Sequence, residues 1–438
     1  MFEFLKFIHP GNYYRLVHRM PQTILCFPII QESNVGYSSE ESELMDIAYC
    51  HLQSGCIAQS SVDRNILQDQ LISSVSDNYI FINRYFSKLQ VLWVLLIRLF
   101  SFKNPIIELY SFVKALKYHR VKIVPKEYKE FETLDCSLIQ SNPLISVIIP
   151  TLNRYVYLKD VLSDLEKQDY AHFEVIVCDQ SEPVNEEFYK GWKLNIKLIK
   201  QEEKALWLAR NNAIIKSKGE YVALTEDDVE LPIDWLSNHL KCLDFFGADA
   251  SAGVFYRNDG KIDKQSIAKS TFKYSQQFPT GNALIRKRMF QEIGLFDRQF
   301  EKQRMGDGEF GLRALLAGFK VISNPMAFII DVKAPTGGLR QMGSWDAWRP
   351  TTLFAPRPIP SVLYFIRKYH GVGEAVLYLI KNIPQSYIPY RLKGNKMAIL
   401  LIYVAFPFWI PSAIVSVVKS WSLSTLKLNE GSLIESLD

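Results

Sequence analysis

Short apolar runs alternate with helical repeats between residues 143 and 355. Four short, mostly apolar runs, the first of them mostly β-branched, predict strands at 145–149, 173–178, 196–199 and 221–224. Apolar residues recur at helical spacing between them, at Leu158, Val161, Leu162 and Leu165 and again at Leu206, Ala209, Ala213 and Ile214. Because strands and helices alternate, the pattern predicts an α/β domain with a mostly parallel central sheet flanked by helices.

The region before this domain has polar stretches around one apolar run, 89–102. The run continues into an amphipathic pattern through Ile106, Leu109, Phe112, Val113 and Leu116. Such a pattern is typical of a core helix or of a helix that lies on a membrane, and we favour the core.

The region after it contains residues 397–418, an uncharged apolar segment flanked by Lys396 and Lys419. A helix of that length roughly matches the ~30 Å hydrocarbon core of a bilayer. Pro407 and Pro411 would kink it. We therefore expect a segment that spans, re-enters or lies on a membrane, with a buried helical hairpin as the alternative.

The length of 438 residues indicates two or three structural units. The patterns of apolar and polar residues predict an N-terminal accessory region of unknown role (1–142), the α/β domain (143–355) and a helical, apolar C-terminal region (356–438). The net charge of +5 gives no indication of nucleic-acid binding. Six cysteines without a C-x-x-C pair, and a start without the pattern of a secretory signal, favour a cytoplasmic location, associated with the cytoplasmic face of a membrane.

An acidic triplet, Glu226-Asp227-Asp228, follows the fourth predicted strand. If the strand continues, side chains alternate, so that Glu226 and Asp228 share one side and Asp227 points away. Carboxylate oxygens suit Mg²⁺ or Mn²⁺, which predicts a metal site. The alternative is an acidic turn that caps the helix starting near Pro232.

Other polar residues follow neighbouring strands of the same predicted sheet. Thr151, Asn153 and Arg154 follow the first predicted strand, and Asp179 ends the second strand. Arg210 and Asn211 lie on the helix just before the fourth strand. Each residue alone has an ordinary explanation, as a turn former or in a surface salt bridge. Since parallel strands end at one sheet edge, where ligands bind, we expect these residues to line a nucleotide pocket together.

The ordered motifs resemble those of family 2 glycosyltransferases of GT-A fold, a Rossmann-like sheet. Residues 143–154 are similar to the family's first strand and residues 174–179 to its second strand. Residues 209–222 are similar to the segment before the family's D-x-D motif, and residues 226–236 to that motif and the residues that follow it. The resemblance implies inverting transfer from a nucleotide sugar, with a UDP-sugar favoured, assisted by Mg²⁺ or Mn²⁺. It also implies that Asp179 contacts the base, and the motif adds Asp227 to the predicted nucleotide-sugar site.

Residues 306–313 resemble the family's acidic block, which opens a helix and carries the catalytic base. An inverting transfer needs such a base to accept the proton of the acceptor hydroxyl. The resemblance assigns the base to Asp307, with Gly306 in place of the usual preceding Glu and Glu309 as the second candidate. Alternatively, both acids stabilise a helix N-terminus.

Three further positions bear on the site. Glu226 stands where the family more often has Asp, and Asp331 stands where many relatives have a metal-binding His; both acids can bind a hard cation. Arg340 follows Gly337 and Gly338 in a flexible loop, which predicts a cation aimed at phosphate.

Residues 341–345 echo the Q-x-x-R-W motif of processive synthases, but Ser344 replaces the arginine. We therefore predict transfer of a single sugar to a polysaccharide, a lipid-linked acceptor or another glycan.

Two other functions remain open at this stage. A sugar-phosphate nucleotidyltransferase also uses a nucleotide-binding parallel sheet. Those enzymes resemble one another in a glycine-rich loop after the first strand, whereas residues 150–153 of this chain contain no glycine. A non-catalytic nucleotide-sugar-binding relative is suggested by the departures at Glu226, Gly306 and Asp331.

Overall fold

The structure is a computed structural model of the chain. It describes residues 2–9, 15, 16, 19, 35–58, 73–257, 271–275, 278–335, 338, 347–350, 352–392 and 394–437. The chain divides into two compact units, one of Met1–Tyr128 with Thr271–Gln276 and one of Lys129–Ser270 with Gln277–Asp438. The first boundary therefore falls at residue 128 instead of 142, and residues 356–438 are part of the second unit.

The regular elements that the structure describes in the first unit are helices and one short strand. Its helices are α1 (Leu5–Ile8), α2 (Glu40–Ser54), α3 (Val75–Tyr85), α4 (Lys88–Phe100) and α5 (Pro105–Ala115). The side chains of Ser39, Ser74, Ser87 and Asn104 accept hydrogen bonds from the first turns of α2 to α5, which explains where these helices begin. The short strand Lys273–Tyr274 joins this unit through a 3.0 Å hydrogen bond from the Ala58 amide to the Tyr274 hydroxyl.

The second unit is built on a mixed sheet. The strands are β1 (Ile145–Thr151), β2 (Phe173–Asp179), β3 (Ile196–Lys200), β4 (Tyr221–Thr225), β5 (Val229–Glu230), β6 (Ala250–Arg257), β7 (Asn282–Arg286) and β8 (Val321–Asp331). The described strands of this unit follow the order β3-β2-β1-β4-β7-β6-β8-β5. The predicted runs at 145–149, 173–178, 196–199 and 221–224 all lie in strands.

The parallel half of this sheet is the half that the sequence predicts. Strands β3, β2, β1 and β4 pair in parallel, and β6 pairs with β8 in parallel. Strand β7 is antiparallel to both of its neighbours, and β5 is antiparallel to β8. Thr151 lies opposite Asp179 in the register of β1 and β2, so their carboxyl ends meet at one edge.

Helices cover the sheet. They are α6 (Ser137–Ser141), α7 (Tyr155–Leu165), α8 (Leu206–Lys216), α9 (Trp235–Phe246), α10 (Arg288–Ile293) and α11 (Gly306–Leu316). The predicted apolar face of α7, Leu158, Val161, Leu162 and Leu165, is fully buried. All seven residues of β1 are buried as well, as a strand covered on both faces requires.

Two long helices end the chain, α12 (Pro360–Asn382) and α13 (Lys396–Glu430). Residues 397–430 of α13 are long and apolar enough to cross a membrane, with a mean hydropathy of 2.2, and no other helix in the described ranges meets both criteria. Pro407 and Pro411 lie inside α13 without ending it. The predicted apolar segment is therefore one helix.

Candidate active site

A cavity of about 220 Å³ lies at the carboxyl edge of β1 and β4. Most of its lining comes from the ends of these strands, the start of α8 and the loop before α11. The lining residues are Pro150, Thr151, Leu152, Arg154, Lys204, Leu206, Trp207, Arg210, Glu226, Asp227, Asp228, Glu301, Lys302, Gln303, Arg304 and Gly338. The cavity combines cations and carboxylates at the sheet edge where the sequence predicted a nucleotide pocket.

All three acids of the triplet line this cavity. Strand β4 ends at Thr225, so the alternation of side chains along a strand does not extend to residues 226–228. The expectation that Asp227 points away is therefore wrong. Its carboxylate accepts hydrogen bonds from the Thr151 hydroxyl at 2.7 Å and from Arg154 Nη1 at 3.0 Å.

The Arg154 guanidinium joins two of the acids, because Nη1 also lies 3.1 Å from Asp228 Oδ2. Burial raises the pKa of Asp227, and the charge of Arg154 opposes that rise. The guanidinium packs against Gly338, where a Cβ atom would lie 2.5 Å from Arg154 Cζ. Gly338 has a φ of +76°, so both its backbone conformation and the close contact favour glycine there.

Asp228 is the most enclosed acid of the triplet, at 1% exposure. Its Oδ2 accepts a 3.1 Å hydrogen bond from the Ala334 amide. Its Oδ1 is buried and has no hydrogen-bond partner in the part of the chain that the structure describes. A buried carboxylate oxygen without a partner lowers the stability of the fold unless a ligand or a cation binds to it. Asp228 is therefore the strongest candidate for a metal ligand.

Glu226 fits the site because of a glycine on the neighbouring strand connection. A Cβ at Gly281 would lie 2.7 Å from both Cγ and Oε1 of Glu226. The longer side chain at this position therefore occupies space that Gly281 leaves open. This accounts for Glu where the family more often has Asp.

Arg210 is a buried cation beside the acids. It is 2% exposed, and its Nε has no hydrogen-bond partner among the described residues. Burial lowers its pKa, whereas the charges of Glu226, Asp307 and Glu301 act in the opposite direction. The guanidinium lies 5.3 Å from the Trp207 ring centroid, within the range of a cation–π contact.

Asn211 and Asn153 were predicted to bind the nucleotide but do not line the cavity. Asn211 is buried, and its amide group both donates to the Phe296 carbonyl at 2.9 Å and accepts from the Phe296 amide at 3.0 Å. Its side chain fastens α8 to the chain before α11. Asn153 is exposed with a φ of +55°, and its backbone N–H donates to the Ser181 hydroxyl at 2.8 Å. Both positions have structural roles here.

Asp179 ends β2 as predicted but is fully buried and lies outside the cavity lining. Its carboxylate accepts from the hydroxyls of Tyr155 at 2.6 Å and Tyr189 at 2.8 Å, and from the Ser181 amide at 2.9 Å. Burial raises the pKa of both tyrosines, so their hydroxyls stay protonated donors. The predicted contact with a base would require one of these hydroxyls to give way.

Asp307 lies in the first turn of α11, where its Oδ1 accepts a 2.8 Å hydrogen bond from the Gly308 amide. The residue before it has to be small. A Cβ at Gly306 would lie 2.3 Å from Trp207 Cζ2, inside the indole ring's volume. Trp207 is buried, lines the cavity and donates to the Phe300 carbonyl at 3.1 Å. The indole thus accounts for glycine in place of the family's usual Glu.

The carboxylate of the second candidate base, Glu309, forms a buried ion pair with Arg313. It is fully buried, its two oxygens accept from Arg313 Nε at 2.9 Å and Nη2 at 3.0 Å, and the Tyr369 hydroxyl also donates to it. A carboxylate held in a bidentate pair below the surface cannot receive the proton of an acceptor hydroxyl. The expectation that Glu309 is an alternative base is contradicted by this geometry.

We expect Glu309→Gln to destabilise the second unit by about 3 kcal/mol, because it breaks a buried ion pair. The glutamine can still accept one hydrogen bond, but it leaves the Arg313 charge without its counter-ion. Urea unfolding followed by fluorescence measures the change. Glu187→Gln is the matched control, since that side chain is 79% exposed in a surface pair with Lys190 and should leave the transition unchanged. Equal transitions for both variants would contradict a stabilising role for the buried pair.

Asp331 ends β8, and its Oδ1 accepts a 3.0 Å hydrogen bond from the Lys333 amide. The next residue's amide, that of Val332, donates to the Asp228 carbonyl at 3.1 Å, so the two acids lie on adjacent segments. Within the described ranges, no three His, Cys, Asp or Glu side chains are grouped to hold a metal. The ligand set of Glu226, Asp228 and Asp331 is therefore not assembled in this conformation. Arg340 lies outside the described residues.

One side of the cavity is formed by residues that the sequence pattern did not predict. Trp207, Lys204 and the segment from Glu301 to Arg304 line it but were not among the expected site residues. Glu301 accepts from the amides of Trp207 at 3.1 Å and Leu208 at 3.3 Å, which holds this segment against the start of α8. The available signal was the charged run 301–304 directly before the Gly306-Asp307 block.

Residues 146–302 match the sequence model described as "Glycosyl transferase family 2". Chondroitin synthase of Escherichia coli is 26% identical over 147 residues, which are 32% of this chain and 21% of that protein. The Campylobacter jejuni GalNAc(5)-diNAcBac-PP-undecaprenol beta-1,3-glucosyltransferase is 24% identical over 186 residues, 40% of this chain and 58% of that protein. The chain thus spans less than two thirds of either relative.

Among solved structures, S. aureus TarS 1-349 in complex with UDP-GlcNAc is similar with a TM-score of 0.41 and 21% identity, over 57% of this chain and 74% of that one. The family match covers β1 to β4 and the acids of the cavity. Residues 146–302 of the chain are therefore similar to glycosyl transferase family 2.

Proposed function

We propose that the chain is an inverting glycosyltransferase that moves a single sugar from a nucleotide sugar, with a UDP-sugar favoured, to a hydroxyl of a glycan acceptor. The observation that carries this proposal is the unsatisfied Nε of buried Arg210 in a cavity that also holds Arg154 and the acidic triplet. A nucleoside diphosphate leaving group concentrates negative charge. Buried guanidinium groups stabilise that charge as it develops.

The acids of the cavity fit a divalent cation by chemistry, because Glu226 and Asp228 offer hard oxygen ligands and Asp228 Oδ1 is unsatisfied. We propose that these two residues would hold Mg²⁺ or Mn²⁺, with Asp331 as a further candidate ligand. Bound there, the cation would supply additional neutralisation of the diphosphate. Thr151 and Arg154 keep Asp227 in place beside it.

Asp307 is the proposed base. It lies in the first turn of α11, directly after Gly306, which packs against Trp207 on the cavity wall. Glu309, in contrast, is paired with Arg313. In the proposed reaction the Asp307 carboxylate accepts the proton of the acceptor hydroxyl while that oxygen attacks the sugar's anomeric carbon. The bond to the diphosphate breaks on the opposite face, which inverts the configuration.

For the acceptor we propose a polysaccharide, a lipid-linked glycan or another glycan at the cytoplasmic face of a membrane. The name of the Campylobacter jejuni relative, with its undecaprenol-linked acceptor, supports this choice. Helix α13 supports it as well: residues 397–411 include no buried position and no charge. From Ser412 onwards the helix packs on its own unit, where Ser412, Ser416, Ser420 and Ser424 are buried.

A thermal-shift screen of nucleotides tests the donor assignment. UDP with Mn²⁺ should stabilise the full chain by about 2.7 kcal/mol at 100 times its Kd, because only the folded state binds it. Uridine is the matched control, since it lacks the diphosphate that Arg154 and Arg210 would contact. Release of pyrophosphate from UTP and a sugar phosphate would instead indicate a nucleotidyltransferase. Tight UDP-sugar binding without turnover under either metal would indicate a non-catalytic relative.

A further inference from the structure

The hairpin of α4 and α5 in the first unit exposes an unusual number of large apolar side chains. On α4 the buried residues are Val91, Val94 and Leu95. The exposed apolar residues of the hairpin are Leu89, Leu92, Leu96, Phe100, Phe102, Ile106, Ile107, Leu109, Tyr110, Val113 and Leu116. The core position that we favoured for this pattern is therefore wrong for Ile106, Leu109, Val113 and Leu116. Exposed large apolar side chains concentrated on one hairpin mark an interaction site.

The inner face of the same hairpin carries its charged pair. Glu108 of α5 is 1% exposed and accepts a hydrogen bond from Arg98 Nε of α4 at 3.0 Å. The Tyr79 hydroxyl of α3 donates to the same carboxylate at 2.8 Å. A helix pair of a soluble protein normally buries its apolar stripe and exposes its charges. Here the pair encloses one ion pair, Arg98–Glu108, and leaves many large apolar side chains outside, so the outer face suits an apolar environment.

Two aromatic residues form the tip of the hairpin. Phe100 ends α4 at 80% exposure, and Phe102 follows in the turn at 98% exposure. Phe102 has a φ of +54°, a left-handed conformation that is uncommon for a bulky residue. Asn104 then caps α5 through the amides of Ile106 and Ile107. The turn thus holds an aromatic ring away from the unit's own core at an energetic cost.

The exposed charges of the hairpin segment itself, residues 88–122, have one sign. Residues 88–122 contain seven Lys or Arg residues and a single acid, Glu108. Because Glu108 is buried against Arg98, the exposed charges of the segment are cationic. Among them are Lys103 beside the tip and Lys117, Arg120 and Lys122 after α5. Exposed apolar side chains among basic residues are typical of a surface that binds anionic lipids.

We propose that the α4–α5 hairpin docks on an anionic lipid bilayer, with Phe100 and Phe102 inserted at the level of the acyl chains. Helix α4 has 13 residues, about 20 Å of helix, which is too short to cross a hydrocarbon core of about 30 Å. The hairpin therefore lies in the plane of the interface. This gives the first unit a role that the proposed sugar transfer neither requires nor implies.

A dye at the tip tests this proposal locally, which matters because α13 has an apolar surface of its own. The full chain with Ser101→Cys is labelled with an environment-sensitive fluorophore, after Cys26→Ser; the other five cysteines are buried. Vesicles with phosphatidylglycerol should shift the emission to the blue, and lipids with a quencher on the acyl chain should quench it. The matched label at Lys167→Cys, on an exposed side chain of the second unit, should respond to neither.

Substitution of the tip tests the energetic contribution. Phe100→Ser with Phe102→Ser should weaken binding to the anionic vesicles by roughly tenfold or more, because both rings leave the bilayer interface. Ile233→Ser removes a side chain of 61% exposure from the second unit and should change nothing. Unchanged binding of the double variant, or a tip label that stays in water while the protein floats with vesicles, would overturn the proposal. A blue shift that grows with protein concentration without lipid would overturn it in favour of a second copy of the chain.

Discussion

Asp228→Asn is expected to lower the rate of sugar transfer by at least about 100-fold while leaving the fold intact. The amide oxygen must take the place of Oδ2, because the Ala334 amide donates there and the positively charged Arg154 Nη1 lies 3.1 Å away. The amide NH₂ group then occupies the position of Oδ1, the oxygen without a partner. A potential cation ligand is thereby replaced by a hydrogen-bond donor. Transfer from a UDP-sugar, with and without Mn²⁺, measures the loss.

The same variant also has a readout that does not depend on turnover. In the unsubstituted protein Mn²⁺ should strengthen UDP binding, and in Asp228→Asn this enhancement should vanish in calorimetry. Asp135→Asn makes the same chemical change at an exposed residue that pairs with Gln140, and it should behave as the unsubstituted chain. A metal enhancement that survives in Asp228→Asn would exclude Asp228 as a ligand.

The half of the sheet that forms the site could be predicted from the sequence because its signal is local. The four mostly apolar runs before Thr151, Asp179, Lys200 and Thr225 became β1 to β4. The helices α7, between β1 and β2, and α8, between β3 and β4, favour parallel strands. Pairing alone brings Thr151 opposite Asp179. The antiparallel entry of β7 between β4 and β6 has no such local signal.

The side-chain partners of the site could not be predicted, because they are distant in sequence. Arg154 reaches Asp227 across 73 positions, and Asn211 reaches Phe296 across 85. No periodicity or propensity encodes such pairs. The prediction that Asp227 points away failed for a related reason: it extended the strand's alternation past Thr225, where the strand ends.

Departures from the family pattern also have non-local causes. Glu226 depends on the absence of a side chain at Gly281, and Gly306 on the presence of the Trp207 indole. Each change alone would suggest a weakened site. Because the shape of each changed residue is matched by a residue next to it in space, the two changes favour a functional cavity over a decayed one.

Asp307→Asn is expected to reduce the turnover rate about 1000-fold, because the amide cannot accept the proton of the acceptor hydroxyl. The substitution is isosteric, and the amide oxygen can still accept from the Gly308 amide, so α11 should begin as before. Binding of UDP with Mn²⁺ should stay within about twofold, since Asp307 does not line the cavity that holds the proposed diphosphate site. Steady-state transfer kinetics and calorimetry measure the two effects separately.

The comparison with Glu309 makes this result specific to the base. Glu309→Gln should lower stability through the Arg313 pair, whereas Asp307→Asn should lower turnover at unchanged stability. A simple helix-terminus role for both acids would instead give two modest stability losses with turnover retained. If Asp307→Asn transferred sugar at the rate of the unsubstituted chain, the proton would have to leave through another group. The segment from Glu301 to Arg304 on the cavity wall, whose Glu301 now accepts from the first turn of α8, would be the next place to look for it.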